Sequence, residues 1–381
     1  MNQRPFHDAH RIPLARPWFD DAEVAAAADV VRSGQLCQGP QTEAFENEFA
    51  AKMQVRHAVA VSNGSVALLV ALEALGITGG DEVIVPDMTF ISTVTAGMRL
   101  GATPVFGDIT LTDYNLDATL VESLVTPKTK AIVPVHYAGH TANMDVLSDI
   151  ARRHDLKILE DAAEAHLARY KGDKFAGTIG DAGIFSFTPT KPMTTGEGGM
   201  IVTDNDEIAE RCRLIRNFGD RGKFDWDAMG FNYRLNEVAS AIGRCQLAKL
   251  DAIIAMRREK ARRYDGGFAE CDLLHIPWVR GPEDSNYQLY TIRLAVDRIR
   301  VSRDEIIAAL TKQGVSTRLY YPSLHRQGVF RRFGPHDDAR FPNSLAFEQA
   351  ALSLPIFSGL TAEEQDYIID TVPKVLAAHR R

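Results

Sequence analysis

The chain has 381 residues, 45% hydrophobic and 24% charged, ordinary globular proportions with length for more than one domain. Its formal net charge is −7 and no long basic run stands out, which argues against a nucleic-acid footprint while leaving room for a small anion held by local cations and amides. No apolar run reaches membrane-spanning length and the opening MNQRPFHDAHR lacks the apolar core of a signal peptide, so a cytoplasmic protein with no membrane partner is expected.

In chain order, AVAVSNGSVALLVALEALG reads as strand, turn and helix. DEVIVP, ATPVFGD, KAIVPVH and LKILED follow as short strand-like runs, each flanked by helical spacing. AGIFSF and GMIVTD are two more, separated by a turn-rich loop. Apolar runs of this kind suit a mainly parallel sheet covered on both faces by helices, an α/β architecture. From about Leu247 to Tyr264 the pattern is one long charged helix. Beyond it lie SNYQLYTIRLAV and a helix opening near Ser302, where SRDE supplies an N-cap and a capping-box acid. The expected division is a large domain over 1–250, including an N-terminal segment, and a smaller α+β domain over 251–381. The four cysteines, Cys37, Cys212, Cys245 and Cys271, form no CxxC pair, and no metal site is expected.

Three stretches carry chemistry. In VAVSNGSVALL a strand ends at Val61 and turns into a helix. The first amides of a helix lack internal partners and sit at the positive end of its dipole, which makes a seat for a phosphate. Gly64 allows close backbone approach and Ser65 adds a hydroxyl; an ordinary N-cap turn has the same signature. In LKILEDAAEAHLA, Glu160 and Asp161 fall at a strand end, where ligand sites gather in open parallel sheets. A carboxylate there can act as a base, bind a metal or face a ring cation, and for Glu160 the simpler reading is a cap of the next helix. In SFTPTKPMTTGEGGM, Lys191 sits between Pro189 and Pro192 at the end of a buried strand. A lysine carried out of a strand in this way is a competent nucleophile toward an aldehyde. A solvated loop lysine is the bland alternative, weakened by the strands on either side.

A phosphate seat, a strand-end carboxylate and a strand-end lysine in a glycine-rich turn together match what pyridoxal 5'-phosphate requires. Phe90, in PDMTFISTVTA, stands at another strand end and offers a flat ring for the cofactor face.

EDAAEAH, FSFTPTKPMTTGEGGM and GFNYRLNEVASAIGRCQL resemble the DegT/DnrJ/EryC1/StrS sugar aminotransferases, and the likeness runs from GQLCQGPQTEAFENEFA to SLPIFSGLTAEE. It implies the aspartate aminotransferase-like fold (fold type I of the pyridoxal phosphate enzymes). Lys191 matches the lysine that holds the cofactor aldehyde, and Asp161 the partner of the pyridine nitrogen. Phe90 matches the stacking aromatic, and Gly64, Ser65 and Ser186 match phosphate-binding positions. Asn232 matches a residue that reaches the phosphate from a neighbouring subunit, which implies a homodimer with shared sites. Relatives that dehydrate a sugar carry His at the Lys191 position, so transamination is implied here.

Glu164, TPKTKAIVPVH and GHTANMD resemble the GDP-perosamine synthase group, which implies L-glutamate and a nucleotide-linked 4-keto-6-deoxyhexose as substrates. Glu164 is then a substrate- or cofactor-side group, or else an acid at a helix N-terminus. His325, in STRLYYPSLHRQGVF, is a candidate substrate contact or a structural histidine. Leu167-Ala168 after AEAH, Tyr137-Ala138-Gly139 after PVH, and Pro192 depart from the usual pattern. They leave open another keto-sugar or a cyclitol, and dehydration is a further alternative. A non-catalytic regulator is the reading from a different class, and the retention of Lys191 and Asp161 speaks against it.

Overall fold

A computed structural model describes residues 11–222, 224–281, 284–333 and 337–381. The stretch 1–10, most of the segment read above as lacking a signal core, lies outside the described residues. Among the described residues no helix is long and apolar enough to cross a membrane.

The large sheet is built from β1 (His57–Val61), β2 (Glu82–Pro86), β3 (Thr103–Gly107), β4 (Thr129–Ile132) and β5 (Lys157–Asp161), which come first in the chain. A short hairpin, β6 (Arg169–Tyr170) and β7 (Lys174–Phe175), precedes β8 (Ala182–Ser186) and β9 (Gly199–Thr203). The strand order is β1-β9-β8-β5-β4-β2-β3. All pairings from β3 to β8 are parallel, and β9 runs antiparallel to both its neighbours. Every residue of β8 and β9 is buried, which explains their unbroken apolar sequence: helices cover both faces, so neither face needs polar residues.

One face packs on helix Gly64–Ala74 through residues such as Ala67, Leu68 and Ala71. On the other, Phe45 and Phe49 of helix Pro40–Met53 meet Phe185 and Phe187 at ring separations of 5.2–5.7 Å. The strand-rich N-terminal half of the sequence and the parallel sheet therefore agree.

The long helix differs from its sequence pattern. It spans Glu237–Phe268, ten residues earlier than expected at its start, and is capped by the Asn236 side chain. Its first turns, EVASAIG, carry no apolar stripe and bury the small residues Ala239, Ser240, Ala241 and Gly243. They are buried by close helix contact: a Cβ on Gly243 would lie 2.8 Å from Phe45 Cζ. Small size, not periodicity, positions this end.

A second sheet, antiparallel, pairs β10 (Leu274–His275) with β11 (Tyr290–Leu294) and β11 with β12 (Ala351–Leu354). Helices Arg303–Lys312 and Ala362–Ala378 pack with it. The expected capping box is present: the Ser302 side chain accepts from the Glu305 amide and Glu305 accepts from the Ser302 amide. Ile12 bridges in parallel to Val315, so the N-terminal segment crosses to this C-terminal layer.

Candidate active site

Parallel β5 and β8 are hydrogen-bonded neighbours, and their C-terminal ends carry the two central groups. β5 ends in Asp161. β8 ends in Ser186, and the loop that follows folds back on Phe187, whose carbonyl accepts from the Thr194 hydroxyl at 2.7 Å and the Thr195 amide at 3.0 Å. Gly196, at φ +86°, makes the reversal. Lys191 is held at the tip, its amide donating to Thr188 O at 2.9 Å. Its side chain is only 11% exposed.

The Lys191 ammonium donates to Glu164 Oε1 at 3.0 Å. The same oxygen accepts from the Tyr321 hydroxyl at 3.1 Å, and Glu164 Oε2 accepts from the Ala138 amide at 2.8 Å. Asn286 fixes the backbone here, donating to Glu164 O at 2.8 Å and His166 O at 2.9 Å. Gln288 donates to Thr190 O at 2.6 Å, just before the lysine.

Asp161 is buried and accepts from the Thr93 hydroxyl at 2.7 Å and the Ala163 amide at 3.2 Å. Burial raises its carboxyl from the ordinary value. Thr93, the Ala163 amide and the Lys191 charge oppose that rise without cancelling it.

At the N-terminus of helix Gly64–Ala74, Asn63 caps by accepting from the Val66 amide at 2.9 Å. A Cβ on Gly64 would lie 2.8 Å from Ser186 Cβ, so only glycine lets the helix start sit against the end of β8. Ser65 and Ser92 share a 2.6 Å hydroxyl contact beside it. Phe90 presents its ring half-exposed, 5.7 Å from the ring of Tyr321.

Gly64, Ser65, Phe90, Asp161, Glu164, Ser186 and Lys191 all line one cavity of about 960 Å³. A phosphate seat, a buried carboxylate at a strand end and a lysine amine, all lining one cavity, fit pyridoxal phosphate. The pinched Gly64–Ser186 approach is the cradle that a phosphate needs.

Two candidates are not brought to this cavity. Asn232 is exposed, and its side chain accepts from Arg234 Nε at 3.2 Å. His325 is fully buried away from the cavity. Its Nδ1 meets Asp87 Oδ2 at 2.8 Å, its Nε2 meets Asp338 Oδ1 at 3.1 Å, and its ring stacks on Phe341. Both ring nitrogens face carboxylates, so this histidine ties segments together and has no free nitrogen for a sugar.

Two further expectations are corrected. Glu160 caps no helix, because turns follow β5. It is fully buried and accepts from the amides of Gly177, Ile179 and Gly180 and from His136 Nε2, at 2.5–2.9 Å. His136 Nδ1 accepts the Ala142 amide, which fixes the tautomer with Nε2–H toward Glu160. Glu164 likewise stands in a turn, not at a helix N-terminus; direct contact with Lys191 defines its place.

Thr93, Ala138, Asn286, Gln288 and Tyr321 were missed from sequence. Thr93 had a local signal, three residues past Phe90 in the first turn of the helix Ser92–Arg99, and Tyr321 stands in the stretch STRLYYPSLHRQGVF singled out above.

The match with the DegT/DnrJ/EryC1/StrS aminotransferase family covers residues 18–373. The chain is 39% identical to dTDP-3-amino-3,4,6-trideoxy-alpha-D-glucose transaminase of Streptomyces venezuelae, over 91% of this chain and 90% of that protein. It is 37% identical to GDP-perosamine synthase of Caulobacter vibrioides, over 97% and 99% respectively. The crystal structure of DesV from S. venezuelae superposes with a TM-score of 0.88 at 38% identity, covering 95% of this chain and 98% of that one. The chain therefore belongs to the DegT/DnrJ/EryC1/StrS aminotransferase family, and it is a sugar aminotransferase of the aspartate aminotransferase-like fold whose cofactor is pyridoxal 5'-phosphate.

Proposed function

We propose that the protein moves the amino group of L-glutamate to the carbonyl of a nucleotide-linked 4-keto-6-deoxyhexose, as a cytoplasmic homodimer with shared active sites. The observation that carries this reading is that the Asp161 carboxylate at the end of β5 and the Lys191 amine on the loop after β8 open into one cavity. Its volume of about 960 Å³ lies at the large end of the usual range for ligand sites, about 300–1,000 Å³. That leaves room for a substrate beside the cofactor.

Pyridoxal phosphate, when bound, supplies an electron sink that makes the α-proton of an amino acid removable. The chain's own residues do the rest. Lys191 holds the aldehyde and, when its amine is free, takes and returns a proton at the reacting carbon. Asp161, oriented by Thr93 and the Ala163 amide, keeps a proton on the ring nitrogen. Gly64, Ser65, Ser186 and the helix amides hold the phosphate, and Phe90 covers a ring face. Glu164 keeps the Lys191 amine within the cavity. Asn232, exposed and outside the cavity of its own chain, completes the site of a second copy.

The likeness of EDAAEAH and GHTANMD to the GDP-perosamine synthase group supports the 4-keto sugar. The relatives named above carry different nucleotides in their names, GDP and dTDP, so overall identity does not choose between them.

The test is a visible spectrum of the purified protein. A yellow absorbance that bleaches with L-glutamate is expected, and borohydride reduction should fix the cofactor on the Lys191 peptide. A panel of GDP- and dTDP-linked 4-keto sugars, with a cyclitol ketone as control, is then scored for restoring the yellow form. Restoration by the cyclitol alone would overturn the nucleotide-sugar reading. Release of ammonia instead of 2-oxoglutarate would replace amination by dehydration.

A further inference from the structure

Tyr321 comes from the far end of the sequence, 157 residues after Glu164, yet it touches three parts of the site. Its hydroxyl donates to the Glu164 oxygen that also receives the Lys191 ammonium. Its ring packs on Phe90. It lines the same cavity as Lys191 and Asp161. The preceding residue is anchored in turn, because the Tyr137 hydroxyl donates to Tyr320 O at 2.5 Å. Tyr137 itself is fully buried and packs on Tyr114 and Phe347.

We propose that Tyr321 is a positioning residue for Lys191: it locks the Glu164 carboxylate in the one rotamer that holds the free lysine amine inside the cavity.

A carboxylate on a side chain with several rotatable bonds needs more than one contact to hold a single orientation. Glu164 Oε2 is fixed by the Ala138 amide and Oε1 by the Tyr321 hydroxyl. With both in place, Oε1 faces Lys191 before the lysine arrives. An amine that leaves the cofactor then has a defined place to wait, near the reacting carbon and not out in solvent, and geometry of this kind is what proximity effects depend on. Burial first, and then the Glu164 charge, push the Tyr321 phenol well above its ordinary value. The phenol thus keeps its proton as the donor to Glu164.

The proposal rests on the reading of Lys191 as the cofactor-holding lysine, but not on which sugar is aminated. Its test uses the full chain freed of cofactor. Tyr321→Phe removes the hydroxyl and keeps the ring on Phe90, so the fold and the ring contact are retained. The rate at which an amine-reactive acylating reagent labels Lys191 is followed by peptide mass spectrometry, with exposed Lys128 as internal standard. Losing the Tyr321 hydrogen bond should raise Lys191 labelling by roughly tenfold, the factor expected for one hydrogen bond to a charged group. In a Glu164→Gln background the same Tyr321→Phe change should add little, because the hydroxyl acts through that carboxylate. An equal factor in both backgrounds, or no change in either, overturns the proposal. Failure of the lysine reading would appear separately, as borohydride-fixed cofactor on a peptide without Lys191.

Discussion

The Thr93 hydroxyl donates a 2.7 Å hydrogen bond to Asp161 Oδ2 and so joins the helix after Phe90 to the end of β5. Two cavity walls that are 68 residues apart in sequence are set by one contact. Thr93→Val keeps the shape and removes the donor. Retention of pyridoxal phosphate should weaken by roughly tenfold, the worth of one charge-assisted hydrogen bond, and the unfolding midpoint should fall modestly because a buried carboxylate loses a donor. Equilibrium dialysis measures the first and urea titration the second.

The same contact has a pH consequence. Asp161 must be ionised to face a ring cation. Its carboxyl titrates above the ordinary value because it is buried, so cofactor affinity should fall as pH drops through that raised value. Thr93 lowers the Asp161 value, and its removal should move the fall to still higher pH. A plot of dissociation constant against pH for wild type and Thr93→Val reads the shift directly. Superimposable curves would mean that Asp161 does not control binding.

Glu160→Ala should damage the fold more than the chemistry. It would strand the amides of Gly177, Ile179 and Gly180 and the His136 N–H inside the protein. Emptying a buried charged acceptor of this kind costs about 3–5 kcal/mol. Glu160→Gln, which keeps an acceptor oxygen, should lose visibly less. The measurement is the urea unfolding midpoint of the three proteins.

Much of the site was legible because it follows local grammar. Asp161 ends a buried strand, and Gly64, Phe90 and Lys191 stand just past others, where parallel sheets present their ligand-facing ends. A strand can be read from a run of five residues, so its end can be read too. What surrounds Glu164 could not be read in this way. Its partners Ala138, Lys191, Asn286 and Tyr321 come from four separate stretches that meet only in the folded chain. Glu160 was misread for a related reason: an acid at a strand end caps a helix only if a helix follows, and here a turn follows. For His325 the sequence leaves a substrate contact and a structural histidine both open, because it gives no hint that Asp87 lies opposite its ring.

His325 should instead make stability depend on pH. Burial lowers its imidazole, but Asp87 and Asp338 outweigh that, and the net shift is upward. Arg326 holds Asp338 in place on the exposed side. A histidine with a raised folded value gives its full stabilisation below the unfolded value of about 6.5, and loses it as pH rises through the folded value. The thermal midpoint of wild type should therefore exceed that of His325→Gln most at mildly acid pH, and the gap should narrow toward alkaline pH. A gap that widens with pH would contradict the ion-pair reading.

Asn232 gives the sharpest test of a shared site. In its own chain it is exposed and paired with Arg234, outside the cavity that Lys191 occupies. If a second copy supplies it, Lys191→Ala and Asn232→Ala fall on opposite partners of one site. In a hybrid dimer of these variants, one site carries both lesions and the other carries neither. Random reassortment makes about half of the dimers hybrid, each with one intact site of two, so the mixture should regain about a quarter of wild-type activity beyond what the parents contribute. The experiment is to unfold, mix and refold the two variants and assay the product against each parent treated alone. Activity equal to the average of the parents would mean that each chain holds a complete site and that Asn232 is not supplied across the dimer.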